Sequence, residues 1–194
     1  YKFPNGIIVN LGAGLFTSYE RFKNNELTWI ELDLPQVKEV WKLFNSETKK
    51  HQYWTDSIFE EEWILKIKQI SNQNVLFIAE GLFMYFSETE VKSIFNLILS
   101  NLDKSYIILE GYSKFILKRP HSDVRKTDAK KFKNPWGIKT GKDFEKWFPE
   151  ISHIEDQYFL ENRKALRRAP FIHQMGSLLP IFKKAGKIVY LKFT

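Results

Sequence analysis

The chain has 194 residues, of which 43% are hydrophobic and 16% aromatic, and it carries a net charge of +7. This length and apolar content favour one compact domain, predicted to span residues 1–194, and argue against a disordered chain. No apolar run approaches the roughly 18 residues of a membrane-spanning helix. The lack of cysteine excludes disulfides, thiolate metal ligands and a cysteine nucleophile, and it fits a cytoplasmic location.

The positive charge is concentrated between Ser113 and Lys146, which hold eleven Lys and Arg against four Asp and Glu. The rest of the chain is therefore neutral overall. Few aromatic residues are interleaved with these cations, unlike the stacking platforms that bind nucleic acids. We expect a solvated surface segment and no nucleic-acid partner, although an acidic substrate or partner stays open. The four histidines show no metal-ligand spacing, so no metal site is expected.

Apolar runs typical of strands alternate with helical patterns along the chain. The predicted strands span residues 7–11, 28–33, 51–55, 75–79, 106–109, 151–160 and 187–193. The predicted helices span residues 16–22, 35–44, 60–70 and 142–148. Another predicted helix begins after its cap, Ser87, and its inward-facing residues are Val91, Ile94, Phe95 and Ile98. This alternation predicts a doubly wound α/β domain with a parallel sheet.

The first strand ends in the turn Gly12-Ala13-Gly14, and Asp33 follows 19 residues after Gly14 at the end of the second strand. Glycines let a ligand approach the backbone, and a carboxylate at this distance is placed to bind ribose hydroxyls. The pattern therefore favours a site for an adenosine-containing cofactor. A tight turn without a ligand, and an Asp33 that only caps the next helix, are the alternatives.

Two more carboxylates follow predicted strands, Asp56 after the third and Glu80 after the fourth. The carboxyl ends of parallel strands lie at one edge of the sheet, so these acids would lie near each other. They would repel a negatively charged pyrophosphate but attract the positively charged sulfonium of an adenosyl cofactor. A dinucleotide fingerprint also requires a third glycine where this chain has Thr17, which disfavours an NAD-dependent oxidoreductase. Tyr85 offers an aromatic face to a cationic sulfur. Helix capping by Asp56 and ordinary packing of Tyr85 stay open.

Four segments resemble the leucine carboxyl methyltransferase family, in particular its bacterial branch of polyketide-type O-methyltransferases: VNLGAGL, WIELDLPQV, VLFIAEGLFMYFSETEV and NPWGIKTGKDFEKW. The resemblance covers most of residues 6–148. It implies the Rossmann-like fold of class I methyltransferases, a seven-stranded, mostly parallel sheet with an antiparallel last strand and helices on both faces. It also implies an N-terminal helical segment that is missing from this chain and that supplies a basic residue for the cofactor carboxylate.

The resemblance further implies an S-adenosylmethionine-dependent O-methyltransferase acting on a hydroxyl or carboxylate oxygen of a small, polyketide-like molecule. The cofactor-binding residues that it implies are Gly12, Gly14, Asp33, Asp56, Ser57 and Glu80. Ala13, which lies between the two glycines, and Tyr85, the aromatic candidate, complete the predicted set. Among them, the glycines and Glu80 would lie near the methionine part, Asp33 near the ribose, and Asp56 with Ser57 near the adenine.

The resemblance has one departure inside the glycine motif, because Phe16 stands where the family usually has Asp. This favours a second hypothesis, a cofactor-binding protein that has lost or changed catalysis and acts through a partner. No catalytic residue is identified from the sequence. A carboxylate acceptor would need no general base, whereas a hydroxyl acceptor would need one. Arg119 or Lys118 is a candidate anchor for an acidic acceptor, whereas His121 and His173 are expected to be surface or packing residues. The oligomeric state stays open.

Overall fold

The computed structural model describes residues 6–22, 26–70, 74–117, 136–161 and 184–194. Its strands are β1 (Ile7–Leu11), β2 (Thr28–Leu32), β3 (His51–Trp54), β4 (Val75–Ala79), β5 (Ser105–Tyr112), β6 (Ile151–Tyr158) and β7 (Gly186–Phe193). Its helices are α1 (Ser18–Arg21), α2 (Pro35–Trp41), α3 (Glu62–Ile70), α4 (Glu88–Asn101), α5 (Lys114–Leu117) and α6 (Lys142–Glu145). No helix in these ranges is long and apolar enough to cross a membrane.

The seven strands form one sheet in the order β3-β2-β1-β4-β5-β7-β6. The first five are parallel to their neighbours, whereas β7 lies antiparallel to both β5 and β6. Helices connect the parallel strands, because a parallel connection must carry the chain back along the sheet. The sheet confirms the predicted seven-stranded, mostly parallel fold with an antiparallel last strand.

One face of the sheet carries the main hydrophobic core, against which α3 and α4 pack. The residues predicted to face inward on α4 are buried, whereas Ile70 at the end of α3 is exposed. Ser87 caps α4 as predicted: its hydroxyl accepts a hydrogen bond from Glu90 N, and the Glu90 carboxylate accepts one from Ser87 N. These reciprocal bonds satisfy amide groups that the first turn of a helix leaves unpaired.

Several predicted elements differ in extent from those observed, among them α2 and β5. Helix α2 ends at Trp41 and not at residue 44, and the side chains of Val40 and Phe44 are exposed. Only Trp41 is buried, because its ring packs against His51 and Tyr53 of β3. Strand β5, predicted over residues 106–109, continues to Tyr112 because it pairs with β7 along its whole length.

The opposite face of the sheet buries a polar network. Asn10 Nδ2 donates to Glu31 Oε2 at 2.8 Å, and His51 Nε2 lies 3.1 Å from Glu31 Oε1. The Tyr19 ring stacks on the His51 ring with 3.8 Å between centroids. The Trp41 ring packs edge-on against the same His51 ring, with 5.2 Å between centroids. The network joins β1, β2 and β3 just below the ends where the predicted site residues lie. Buried polar groups of this kind stabilise a fold only when all of them are paired.

We therefore expect Glu31→Ala to lower the free energy of unfolding by about 3–5 kcal/mol, because it leaves Asn10 and His51 buried without their acceptor. Glu31→Gln keeps a polar partner for both and should cost much less. Urea denaturation measures both changes. The control is Glu39→Ala, which removes an exposed carboxylate paired with Lys42 and should cost less than about 1 kcal/mol. Equal losses for Glu31→Ala and Glu39→Ala would contradict the expectation.

Candidate functional site

The carboxyl ends of β1 and β4 border a crevice at the point where the chain reverses its direction across the sheet. From β1 the chain moves outward through β2 and β3, and then returns to place β4 and β5 on the other side of β1. Connections leave such a point in opposite directions, which opens a crevice above the strand ends, and open α/β sheets bind their ligands there.

The glycine turn after β1 has the left-handed backbone that non-glycine residues rarely adopt, with φ of 62° at Gly12 and 57° at Gly14. A Cβ atom on Gly12 would lie 2.6 Å from Leu82 Cδ1, so this residue lets the turn after β4 approach the turn after β1. A Cβ atom on Gly14 would meet nothing within 4 Å. One glycine therefore serves packing, and the other faces open space at the crevice.

The backbone amides of the turn are all used within the protein. Gly12 N and Ala13 N both donate to Leu32 O, at 2.8 and 3.3 Å, and Gly14 N donates to Asp33 Oδ2 at 2.7 Å. A pyrophosphate site in a glycine-rich turn depends on amides that point at the phosphates. The amides of Gly12 to Gly14 are not available for that role, which supports the prediction against a dinucleotide.

Asp33 stands directly after β2 and faces the glycine turn. Besides the bond from Gly14 N, its Oδ1 accepts a hydrogen bond from Leu34 N at 2.6 Å. The N-cap of α2 is Leu34, and no side chain caps this helix, so the alternative that Asp33 is the helix cap is wrong. Each carboxylate oxygen keeps a further lone pair for a ligand. The chain thus holds Asp33 in one orientation with acceptor capacity left.

A cavity of about 260 Å³ opens beside Asp33. Its lining residues are Gly12, Leu32, Asp33, Leu34, Asp56, Ser57, Ile58, Phe59, Leu82 and Phe86. Four of the residues predicted from the sequence thus share one cavity, and the aromatic rings of Phe59 and Phe86 meet edge to face across 5.0 Å. The cavity combines apolar walls with a few polar groups, as ligand sites generally do.

Asp56 lines this cavity from the end of β3, and its carboxylate is paired with a lysine side chain. Lys66 Nζ of α3 donates to both Asp56 carboxylate oxygens at 2.8 Å, and the same ammonium lies over the Trp54 ring at 5.5 Å from its centroid. Helix α3 begins at Glu62, so Asp56 does not cap it. Lys66 was not predicted from the sequence, because its pairing with Asp56 depends on how α3 packs beside β3.

Glu80 lies on the other side of the crevice, half-buried and directly after β4. Burial and the neighbouring carboxylate of Glu110 raise the pKa of Glu80 above its ordinary value. Glu110 Oε2 accepts hydrogen bonds from Gly81 N at 3.0 Å and from the Tyr112 hydroxyl at 3.1 Å. Burial, in the first place, and Glu110 also raise the pKa of Tyr112, so this phenol stays protonated as a donor.

Glu110 and Tyr112 were missed by the sequence interpretation, because the fifth strand was expected to end at Leu109. The alternation of buried and half-buried residues through Tyr112 is the signal that extends it. Glu110 fixes the turn after β4 through Gly81 N, and Gly81 has a φ of 63°. The orientation of Glu80 and Leu82 at the crevice therefore depends on a residue of the next strand.

The remaining predicted residues lie at or outside the crevice. Ala13 is buried inside the turn, and Tyr85, in a 3-10 helix over Phe83–Tyr85, is 39% exposed and does not line the cavity. Phe16 is partly exposed just after the glycine turn. The four other residues singled out in the sequence lie outside the described residues: Lys118, Arg119, His121 and His173.

Comparison with known proteins finds sequence similarity to one methyltransferase. The chain is 21% identical over 161 residues to the tetracenomycin polyketide synthesis O-methyltransferase TcmP of Streptomyces glaucescens, a match that covers 82% of this chain and 58% of the relative. The chain thus spans less than two thirds of the length of the curated relative that it matches. No family model matches the chain.

Solved structures show the same fold at low sequence identity. An S-adenosylmethionine-dependent methyltransferase from Anabaena variabilis superposes with a TM-score of 0.64 at 16% identity, covering 98% of this chain and 78% of the other. A DUF574 family protein from Streptomyces avermitilis gives a TM-score of 0.62 at 12% identity, covering 96% and 75%. The neocarzinostatin-biosynthesis O-methyltransferase NcsB1, solved with S-adenosylmethionine and 2-hydroxy-5-methyl naphthoic acid, gives 0.59 at 8% identity, covering 100% and 51%.

These matches confirm the resemblance and the fold that the sequence predicted. The chain is distantly similar to the polyketide O-methyltransferase TcmP and has the fold of class I S-adenosylmethionine-dependent methyltransferases.

Proposed function

We propose that this protein is an S-adenosylmethionine-dependent O-methyltransferase that acts on a hydroxyl or carboxylate oxygen of a small, polyketide-like molecule. The observation that carries the proposal is the glycine turn, whose three amides are bound within the protein while Asp33 keeps acceptor capacity beside a cavity. Such a turn suits a ligand with ribose hydroxyls and no phosphate. The similarity to TcmP supports the same class of reaction.

The residues present fit the adenosine part of this cofactor. The Asp33 carboxylate lines one side of the cavity and can accept hydrogen bonds from two ribose hydroxyls. Such bonds are stronger than those between neutral groups because the acceptor is charged. The apolar side chains of Leu34, Ile58 and Phe86 form walls for a flat base. Asp56 and Ser57 line the same cavity and supply polar groups at the edge of that base.

The residues after β4 and β5 fit the positively charged part of the cofactor. Glu80 and Glu110 place two carboxylates on one side of the crevice, which favours a cation there and disfavours a phosphate. Burial and Glu110 raise the pKa of Glu80, so the folded protein disfavours its charged form. A ligand that brings a positive charge would favour that form.

The cofactor would supply an electrophilic methyl group when bound, so the task of the protein is alignment and exclusion of water. Leu82 and Phe86 shield the crevice with apolar surface. Glu110 holds the turn that carries Leu82 in place through Gly81 N. Removing water strengthens every electrostatic interaction inside the crevice, and it also protects the reacting atoms from hydrolysis.

The acceptor is a small molecule in this proposal, with no nucleic-acid partner. NcsB1 shares the fold and was solved with a naphthoic acid that carries a hydroxyl group, which supports an aromatic acceptor. A carboxylate acceptor is already nucleophilic, whereas a hydroxyl must lose its proton during transfer. The cytoplasmic location expected from the lack of cysteine is part of the same proposal.

A second candidate function is a methyltransferase-like protein that binds the cofactor and acts through a partner. The observation that favours it is Phe16, a half-exposed aromatic ring at the position where the family usually has Asp. Calorimetry with S-adenosylmethionine, followed by a methyl-transfer assay on a panel of aromatic acids and phenols, distinguishes the two candidates. Binding with methyl transfer supports the enzyme, binding without transfer supports the second candidate, and no binding refutes both.

We expect Asp33→Asn to weaken S-adenosylhomocysteine binding by about 10- to 100-fold, since it removes the charge that strengthens the bonds to the ribose. The single amide oxygen of Asn still accepts from Gly14 N but the bond from Leu34 N is lost, so the thermal midpoint should fall modestly while the protein stays folded. Titration calorimetry measures the affinity. Asp103→Asn is the matched control, because Asp103 is exposed and lies away from the cavity. Equal affinities for Asp33→Asn and Asp103→Asn would contradict the role of Asp33.

We expect Glu80→Gln to raise the thermal midpoint of the ligand-free protein at pH 7 and to weaken cofactor binding. The raised pKa of Glu80 means that the folded protein disfavours the ionised carboxylate. The protein is therefore more stable at low pH, where Glu80 is neutral, and it loses this stability as the pH rises through the pKa of the folded state. Glutamine stays neutral throughout. The gain should therefore vanish below about pH 4, where the glutamate is protonated in both states. Thermal denaturation across pH measures it, and a gain that persists at low pH would contradict this cause.

A further inference from the structure

The two carboxylates that line the cavity are held in different ways. Asp33 accepts hydrogen bonds from two backbone amides, those of Gly14 and Leu34. Among the described residues, Asp56 has one hydrogen-bond partner, the side chain of Lys66. The main chain therefore fixes Asp33, whereas the orientation of Asp56 depends on one lysine that does not itself line the cavity.

The Lys66 side chain is held in place by its own helix and by the end of β3. Buried side chains of α3, among them Trp63 and Ile67, pack into the main core and fix this helix beside the sheet. The Lys66 ammonium lies over the Trp54 ring at 5.5 Å from its centroid, and an aromatic face attracts a cation. The indole itself is fixed, because Trp54 Nε1 donates to Gln52 Oε1 at 3.0 Å.

The pair of Lys66 and Asp56 orients a carboxylate more than it stabilises the fold. The Lys66 side chain is 49% exposed, and an ion pair open to water contributes little to stability. The ammonium lies 2.8 Å from both Asp56 oxygens, so the carboxylate cannot turn without losing one of these bonds. Each oxygen keeps a further lone pair for a ligand. The direction of these lone pairs is therefore set by Lys66.

We propose that Lys66 is a positioning residue that orients the Asp56 carboxylate for the ligand, and that it thereby favours a purine with a 6-amino group over one with a 6-oxo group. An amino group donates hydrogen bonds that a carboxylate accepts, whereas an oxo group presents a second acceptor. A carboxylate that is already oriented loses less side-chain entropy when the ligand binds. The inference rests on the proposed function, since it concerns the adenosine part of the same ligand.

Two ligands that differ in the 6-substituent of the base, S-adenosylhomocysteine and S-inosylhomocysteine, test this role by titration calorimetry. We expect the wild-type protein to bind the 6-amino ligand about 10- to 100-fold more tightly, the value of a hydrogen bond to a charged group. Lys66→Met removes the ammonium and keeps a side chain of similar shape. It should weaken S-adenosylhomocysteine by about three- to tenfold, the cost of immobilising one side chain, and leave S-inosylhomocysteine within about twofold.

A second lysine of the chain provides a matched control. Lys92 of α4 donates to Glu88 Oε1 at 2.7 Å and lies over the Trp147 ring at 4.5 Å from its centroid, so it combines the same two contacts as Lys66. None of these three residues lines the cavity. Lys92→Met should therefore leave both affinities unchanged, and thermal denaturation verifies that each variant is folded.

Two further variants separate orientation of Asp56 from other effects of Lys66. Lys66→Arg keeps several donors in a planar fork that matches a carboxylate, so it should retain most of the wild-type preference for the 6-amino ligand. In an Asp56→Ala background, Lys66→Met should change neither affinity further, because Lys66 acts through Asp56.

The outcomes separate this inference from the proposed function. Equal loss of both ligands in Lys66→Met would assign Lys66 a purely structural role and overturn the inference, while the proposed function would stand. An unchanged or stronger preference for the 6-amino ligand in Lys66→Met would overturn it too, since the ammonium would then only compete for the Asp56 oxygens. Equal wild-type affinities for the two ligands would have the same consequence. If the wild-type protein binds neither ligand, the proposed function itself fails, and the inference fails with it.

Discussion

The hydrogen bonds that fasten the glycine turn to the end of β2 are the constraint on which the site depends. Leu32 O and the Asp33 carboxylate accept the amides of Gly12, Ala13 and Gly14. These bonds bring β1, β2 and Asp33 into one rigid unit and leave none of the three amides for an anion. They require left-handed backbone at both glycines, which other residues adopt only with strain. The proposed selectivity of the crevice for an adenosine without phosphates rests on this arrangement.

The rest of the crevice is built by elements that approach this unit from the other strands. The turn after β4 comes close because Gly12 has no side chain, and Glu110 of β5 holds that turn through Gly81 N. The buried network of Asn10, Glu31 and His51 supports the same strand ends from below. Each of these contacts joins strands that are neighbours in the sheet but distant in the chain. The site is therefore a property of the parallel sheet and its strand order.

Charge is distributed unevenly around this crevice. Carboxylates follow β2, β3, β4 and lie within β5, and burial of such groups without partners is unfavourable. Asp56 is compensated by Lys66, and Asp33 by two backbone amides, whereas Glu80 has no hydrogen bond among the described residues. Burial and Glu110 raise the pKa of Glu80, so its charged form is disfavoured in the folded protein. A cation bound beside Glu80 would reduce this cost.

The sequence by itself determined the strands, the sheet type, the glycine turn and Asp33, because these depend on local patterns: apolar runs, glycines and a carboxylate at fixed spacing. Helix and strand ends were predicted less well, as Trp41 and Tyr112 show, since packing against β3 and pairing with β7 decide where these elements stop. Only the tertiary structure decided the pairing of Asp56 with Lys66 and the bond from Gly81 to Glu110. Each joins residues from separate elements, and no local pattern encodes which side chains the sheet order brings together.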